Sequence, residues 1–421
     1  MLALLVLSAA VHTLLTVYFG LRLRATLAEL RARGEPLEIR QACAASPVPP
    51  QENAAPLYAA AYALIKAPKA YEHPPGTEKW DVAAAHKALE QDSDALRLVL
   101  AAARRHRCQF DIKWEDGYTA KLEPLYQMRD LARLVAAAAV VAAEDKQTEE
   151  AWGRVTTGFR MGKHVGMEPP LISQVISYAV DGITVGAMKM VLAKSPASRQ
   201  VHEALSTALS GHDLNAAHIR AFQTDRALGL DLFHRLVRQP GWLDTTAWER
   251  GSLKRMLVSS YLGRPFQYTD ELVYLGIMDS FTRSAARPFR PEDSQQDEQT
   301  FASRVRYCPL SWMVLPSLAR VKMERDKTVA NRSLLQTAVA LEVYRTEKGA
   351  YPETLALLRQ EFPNVTSEDV FSGKELLYRL EREGFLLYSL GPDCRDDGGR
   401  PLDQREYPPR GDLVWIPHGK E

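Results

Sequence analysis

Residues 331–363 read NRSLLQTAVALEVYRTEKGAYPETLALLRQEFP. Leu334, Leu335, Ala338, Leu341, Val343 and Tyr344 form an apolar stripe at helical spacing, which predicts one long amphipathic helix from Ala319 to Glu347. Gly349 follows as the stop, because glycine adopts the left-handed cap without penalty. Pro352 then opens a short helix within AYPETLALL. Beyond it, residues 369–399 read DVFSGKELLYRLEREGFLLYSLGPDCRDDGG, and 411–417 read GDLVWIP. ELLYRLE, FLLYSLG and LVWIP are β-prone, and a turn at Arg382–Gly384 joins the first two as an antiparallel hairpin. A helix packed on a small antiparallel sheet follows, making residues 319–421 an α+β module.

Upstream, residues 53–318 carry mainly helical periodicity. Asn53 and Asp81 are placed to cap two runs, the second reaching Arg107. A polar turn at Asp145–Thr148 joins two helices as an α-hairpin, and Pro170 suits the first turn of the next. The alternation is repeat-like, but the Trp, Gly, Tyr and Pro signature of a tetratricopeptide array is missing. Residues 284–300 are polar and read as an exposed loop, and residues 239–268 are rich in turns and aromatics. The fold class is therefore mainly α, with a small α+β module at the C-terminal end.

Met1–Leu21 contains no Asp, Glu, Lys or Arg. About 20 residues at about 1.5 Å each give about 30 Å, the thickness of a bilayer core, so residues 1–21 read as an uncleaved transmembrane anchor. A cleaved signal peptide is the competing reading, and it lacks a basic n-region. Residues 22–52, charged and then Pro-rich, read as a stalk and linker.

Composition sets the limits. The chain has 421 residues, 46% apolar and 25% charged, as in ordinary folded proteins. With 53 basic and 52 acidic side chains, the net charge is +1, which gives no electrostatic case for nucleic acid as a partner. Cys43, Cys108, Cys308 and Cys394 form no CxxC pair and fit neither a zinc site nor a dense disulfide framework.

Familiar catalytic patterns are missing, so no catalytic or cofactor-binding residue is assigned. Gly162-Lys163-His164 has Thr157 where a phosphate loop needs glycine, and His202-Glu203 has Ser206 where a zincin needs its second histidine. His212 and His218 lie on different helix faces and suit surface or capping roles. Asp111, Glu115 and Asp116 flank Trp114; paired carboxylates beside an aromatic suit a sugar site, and a structural loop is the plainer reading. Cys394, surrounded by Asp393, Asp396 and Asp397, makes a poor nucleophile.

The C-terminal pattern of helix, Gly-x-Tyr-Pro, short helix, hairpin and acidic loop resembles the globular domain of the major pseudopilin of type II secretion systems. It covers about 90 residues, roughly a fifth of the chain. The helical remainder is similar to a broad group of bacterial envelope proteins. The resemblance implies a calcium site, with the Leu390 carbonyl, Asp393, Asp396 or Asp397, and Asp412 as ligands. Clustered carboxylates and carbonyls supply the hard oxygens calcium takes, whereas a solvated Asp- and Gly-rich turn is the competing reading. Two departures argue against a filament. The apolar span lies about 300 residues upstream of the module, rather than continuous with its helix as in the family. That helix also begins with Arg320, Lys322, Glu324 and Arg325.

The expected function is a non-enzymatic, membrane-anchored envelope scaffold or interaction protein with a protein partner. Alternatives are a hydrolase of the helical domain, with its site between that domain and residues 239–268, and an accessory subunit of a type II secretion or pilus-like machine. The expected location is the inner membrane, single-pass. Calcium places the soluble part outside the cytoplasm, whereas Arg22 and Arg24 beside the span favour the inside.

Overall fold

A computed structural model describes residues 1–44, 46–238, 260–292, 318–382, 384–403 and 405–415, with scattered positions between 293 and 317. Most of 239–268 and the pair Ile416-Pro417 therefore lie outside the described residues.

The chain is mainly helical, with an apolar N-terminal helix and a small antiparallel sheet near the C-terminal end. Helix α1 spans Leu2–Ala32 and α2 spans Ile39–Ala42. Helices α3 (Ala55–Ala63), α4 (Val82–Gln91) and α5 (Ser93–Ala103) precede three long ones. These are α6 (Glu123–Glu144), α7 (Thr148–Gly166) and α8 (Leu171–Lys194). Next come α9 (Arg199–Ser210), α10 (Leu214–Arg238) and α11 (Arg264–Ser284). Helices α12 (Leu318–Lys348) and α13 (Leu355–Glu361) lead into the sheet.

Helices α6, α7 and α8 pack on one another as the centre of the body. The α6–α7 hairpin turns where expected, with Lys146 at φ 62. Asp81 caps α4 by accepting from the N–H groups of Ala83 and Ala84. Asn53 does not cap α3, whose N-cap is Ala54. Its side-chain oxygen accepts from Ala55 and Gln109, and its amide donates to the Gln109 carbonyl. The run from Asp81 to Arg107 is two helices, broken at Asp92. That carboxylate is fully buried and accepts from Tyr71 and from the backbone of Lys66 and Ala67.

Residues 22–52 do not stand clear of the body as a stalk. Leu23, Leu30, Leu37 and Ile39 are buried, because α1 continues past the apolar stretch and lays one face on α11. Arg33 bonds Asp279 at 2.8 Å, and the wholly buried Arg226 of α10 reaches Glu35 at 2.5 Å. The start of the expected 284–300 loop is also packed, with Ala285 and Phe289 buried.

The C-terminal elements follow the expected order. α12 ends where the Gly349 N–H bonds the Arg345 carbonyl, with Gly349 at φ 82. Thr354 caps α13 through the Leu357 N–H. Strands β1 (Glu368–Asp369) and β2 (Lys374–Glu375) form one antiparallel pair. Strands β3 (Leu377–Glu381), β4 (Gly384–Ser389) and β5 (Leu413–Trp415) form a second sheet in that order. The hairpin register pairs Glu381 with Gly384 and Leu377 with Tyr388.

One apolar core crosses residue 319. It joins Met188 and Val191 of α8 to Leu334, Ala338 and Leu341 of α12, and to Leu387 and Trp415 of the sheet. Lys189 reinforces this seam by lying over the Trp415 ring, 5.3 Å from its centroid.

Candidate functional site

The acidic loop brings its five sequence-flagged residues into one region between β4 and β5. Asp412 is fully buried; it accepts the Gly399 N–H at 2.7 Å and the Asp397 N–H at 3.5 Å. Asp393 accepts from the backbone of Arg395 and Gly411. Asp396 accepts the Tyr388 hydroxyl at 3.0 Å and the Gly398 N–H at 2.9 Å. The Leu390 N–H donates to Asp369, a buried carboxylate that also takes the Ser389 hydroxyl at 2.7 Å. Asp369 thus organises the entry to the loop, and nothing in the sequence pattern marked it.

Burial pushes the Asp412 carboxyl up to about 6, and the charges of Asp396 and Asp397 push the same way. The site therefore favours a proton or a cation on Asp412. Yet the carboxylate oxygens named above serve N–H and O–H donors. Among the described residues no group of three or more His, Cys, Asp or Glu side chains is set to hold a metal ion.

A second polar cluster lies deep between α7, α8 and α12. Arg332 of α12 donates to one oxygen of Asp181 on α8, from Nε at 2.8 Å and Nη2 at 2.5 Å. Arg332 Nη2 also stands 3.2 Å from His212 Nδ1. Gly158, Gly162 and Gly166 make room on α7. A Cβ on Gly162 would sit 2.2 Å from Asp181 Oδ1, and one on Gly166 would sit 2.5 Å from His212 Nε2. Burial raises the Asp181 carboxyl, with Arg332 opposing that shift. Burial, followed by the positive charge of Arg332, lowers His212 to about 3. His212 is thus neutral near pH 7, and its Nδ1 accepts from Arg332. The cluster clamps α12 to the central helices.

Other flagged residues are structural. His218 is buried, contrary to a surface role, with its Nδ1 3.2 Å from the Tyr178 hydroxyl. His202 packs edge-on to Phe362 at 5.0 Å. His164 is satisfied on both nitrogens by Tyr58 and the Arg105 carbonyl. Trp114 is buried and donates to Glu168 at 3.0 Å, while the other Glu168 oxygen takes the Phe110 N–H. The Trp114 segment is a short 3-10 turn over Trp114–Thr119 that leaves Asp111, Glu115 and Asp116 exposed, and Glu168, distant in sequence, is the partner that pattern reading missed. Burial raises the Cys394 thiol, against the pull of nearby Arg290.

An open groove of about 500 Å³ lies between α4–α5 and the α6–α7 turn, lined by Leu89, Leu96, Leu100, Arg97 and Arg104 among others. No family model, curated protein or solved structure matches the chain.

Proposed function

We propose that this protein is a membrane-anchored scaffold, held in a bilayer by α1 and offering its helical body to a protein partner. The observation that carries this reading is α1 itself. From Met1 to Leu21 it has no Asp, Glu, Lys or Arg, and Leu2, Leu4, Leu5, Val6, Leu7 and Leu14 are each more than half exposed. A charge-free helix of this length, uncovered by its own protein, fits a hydrocarbon environment. A signal sequence has the same character, and the experiment below separates the two.

The C-terminal module, in this reading, is pseudopilin-like in build and serves the body rather than a filament. Arg325 and Lys322 near the start of α12 are buried, and Arg325 is bonded to Asp326 at 2.7 Å. The helix start is thus enclosed by its own chain. The groove lined by Leu89, Leu96 and Leu100 is the face offered to a partner. We assign the membrane to a bacterial envelope, with the body outside the cytoplasm, on the strength of the C-terminal resemblance. Calcium in the loop of Leu390, Asp393, Asp396, Asp397 and Asp412 belongs to the same proposal, supported by the burial of Asp412 beside the like charges of Asp396 and Asp397.

The test is alkaline carbonate extraction of membranes carrying the full chain. The chain is expected in the pellet with its N-terminus intact, and a Leu4→Lys/Leu7→Lys/Val11→Lys variant in the supernatant. Release of the unaltered chain, or an N-terminus beyond residue 21, overturns the anchor. Protease digestion of spheroplasts reads orientation, and protection of the body there overturns the extracytoplasmic placement.

A further inference from the structure

α11 runs parallel to α1, and the 3-10 turn that leads into it, Tyr261–Gly263, reaches well into the apolar half of α1. Arg33 meets Asp279, Gly20 lies against Tyr268, and His12 Nε2 stands 3.2 Å from the Leu262 carbonyl. The His12 and Tyr261 rings are 5.4 Å apart. His12 precedes Arg22, the first charge after the span, by ten residues. At about 1.5 Å per residue that is about 15 Å along the helix, about half a hydrocarbon core. Inserting α1 as far as its charge-free limit therefore carries the start of α11 down with it.

The surface at that point suits lipid. Tyr261 is 58% exposed, Leu262 66% and Phe266 59%. The polar residues of the same turns face inward: Gln267, Asp270 and Glu271 are buried. Asp270 is occupied there by the Ser311 hydroxyl and by the N–H groups of Leu310 and Ser311. Arg264 is the one charged side chain on the outward face between Tyr261 and Phe266, and its guanidinium lies over the Tyr261 ring at 4.9 Å. Its long stem can follow apolar surface toward the headgroups. On α1, Arg22 lies over Tyr18 at 5.8 Å, a second arginine–aromatic pair of the kind found where hydrocarbon meets water.

We infer that Tyr261, Leu262 and Phe266 form a second membrane contact, entering the bilayer beside α1 so that a helix pair, not a lone helix, holds the protein. This rests on the anchor reading of α1. The occupant is lipid because the patch is continuous with the exposed apolar face of α1 and shares its depth. The contact also fixes the orientation of the body, since two inserted points prevent rotation about the α1 axis.

The test uses the full chain in phosphatidylethanolamine–phosphatidylglycerol vesicles. Cys43 and Cys394 are replaced by serine, and nitroxide labels are placed singly through Leu5→Cys, Leu262→Cys, Phe266→Cys and, as an aqueous reference, Leu357→Cys. Collision with oxygen and with a water-soluble nickel chelate reads depth. Positions 5, 262 and 266 are expected to favour oxygen several-fold over position 357. A lipid signal at 5 with aqueous signals at 262 and 266 overturns the second contact, leaves the anchor standing and turns the patch over to a protein partner. An aqueous signal at 5 overturns the anchor reading itself. Aqueous signals at all three positions remove both.

Discussion

Arg332 of α12 places two N–H groups on the same Asp181 oxygen of α8, from 151 residues away in the chain. The other oxygen, Oδ1, faces Gly162 and has no hydrogen-bond partner. A buried pair of this kind adds little over an apolar match, but losing one member strands the other charge. Arg332→Ala should therefore cost about 3–5 kcal/mol in denaturant unfolding. Arg332→Met with Asp181→Asn should recover most of that loss. A double variant as unstable as Arg332→Ala alone would show that the cost is packing rather than stranded charge.

The close approach of α7 and α8 gives a second prediction. Gly162→Ala puts a methyl 2.2 Å from the Asp181 carboxylate, whereas Gly153, on the same helix, has nothing within 4 Å of an added Cβ. Gly162→Ala should destabilise by about 1–3 kcal/mol through overpacking. Gly153→Ala should stabilise by about 0.5–1 kcal/mol through helix propensity. Thermal melts of the two variants should move in opposite directions.

Three histidines set an acid limit. Burial, the leading cause in each, lowers His164 to about 4 and His212 and His218 to about 3. The unfolded chain, with histidines near 6.5, binds more protons than the folded one below that pH. Their contribution is present above about 6.5 and fades as pH falls toward about 4. A His212→Asn/His218→Asn variant should melt with a flatter dependence across that range; an unchanged slope would assign the acid limit to other groups.

Asp412 works with the opposite sign. Its folded carboxyl is raised from 3.8 to about 6, so the folded state holds the proton more tightly than the unfolded state. Stability from this group is present below about 4 and is lost as pH rises through about 6. Asp412→Asn should raise the melting temperature at pH 7 to 8 and remove that share of the slope. The calcium proposal predicts that millimolar calcium at pH 7 stabilises the natural chain and not Asp412→Asn. An equal response in both would reject the loop as the calcium site.

The elements legible in sequence were those set by local chemistry. Gly349 ended α12, Asp81 capped α4, and the apolar stripe from Leu334 to Tyr344 gave the helix. What pattern reading lost were contacts made by side chains remote from one another. Asp92 breaks a helical run because Lys66, Ala67 and Tyr71 converge on it. Glu168 decides what Trp114 does, and Asp369 decides how the Leu390 loop begins. Residues 22–52 look like a solvated stalk because their charges dominate the composition. The buried Leu23, Leu30 and Leu37 that fasten them are thinly spaced among those charges. The acidic loop was legible as a location, while the direction of its hydrogen bonds was not.

The apolar seam between α8 and α12 has a consequence for biosynthesis. α8 is itself long and apolar enough to cross a membrane, and just over half of its most apolar window is buried. Part of the cover comes from Leu334, Ala338 and Leu341, which leave the ribosome roughly 140 residues after α8 ends, on the order of ten seconds at ordinary synthesis rates. For that interval α8 stands without the cover that α12 later provides, an apolar segment long enough to be taken for a span. Asp181 and Lys189 interrupt that apolar run with charge, and the finished fold holds them against Arg332 and Trp415.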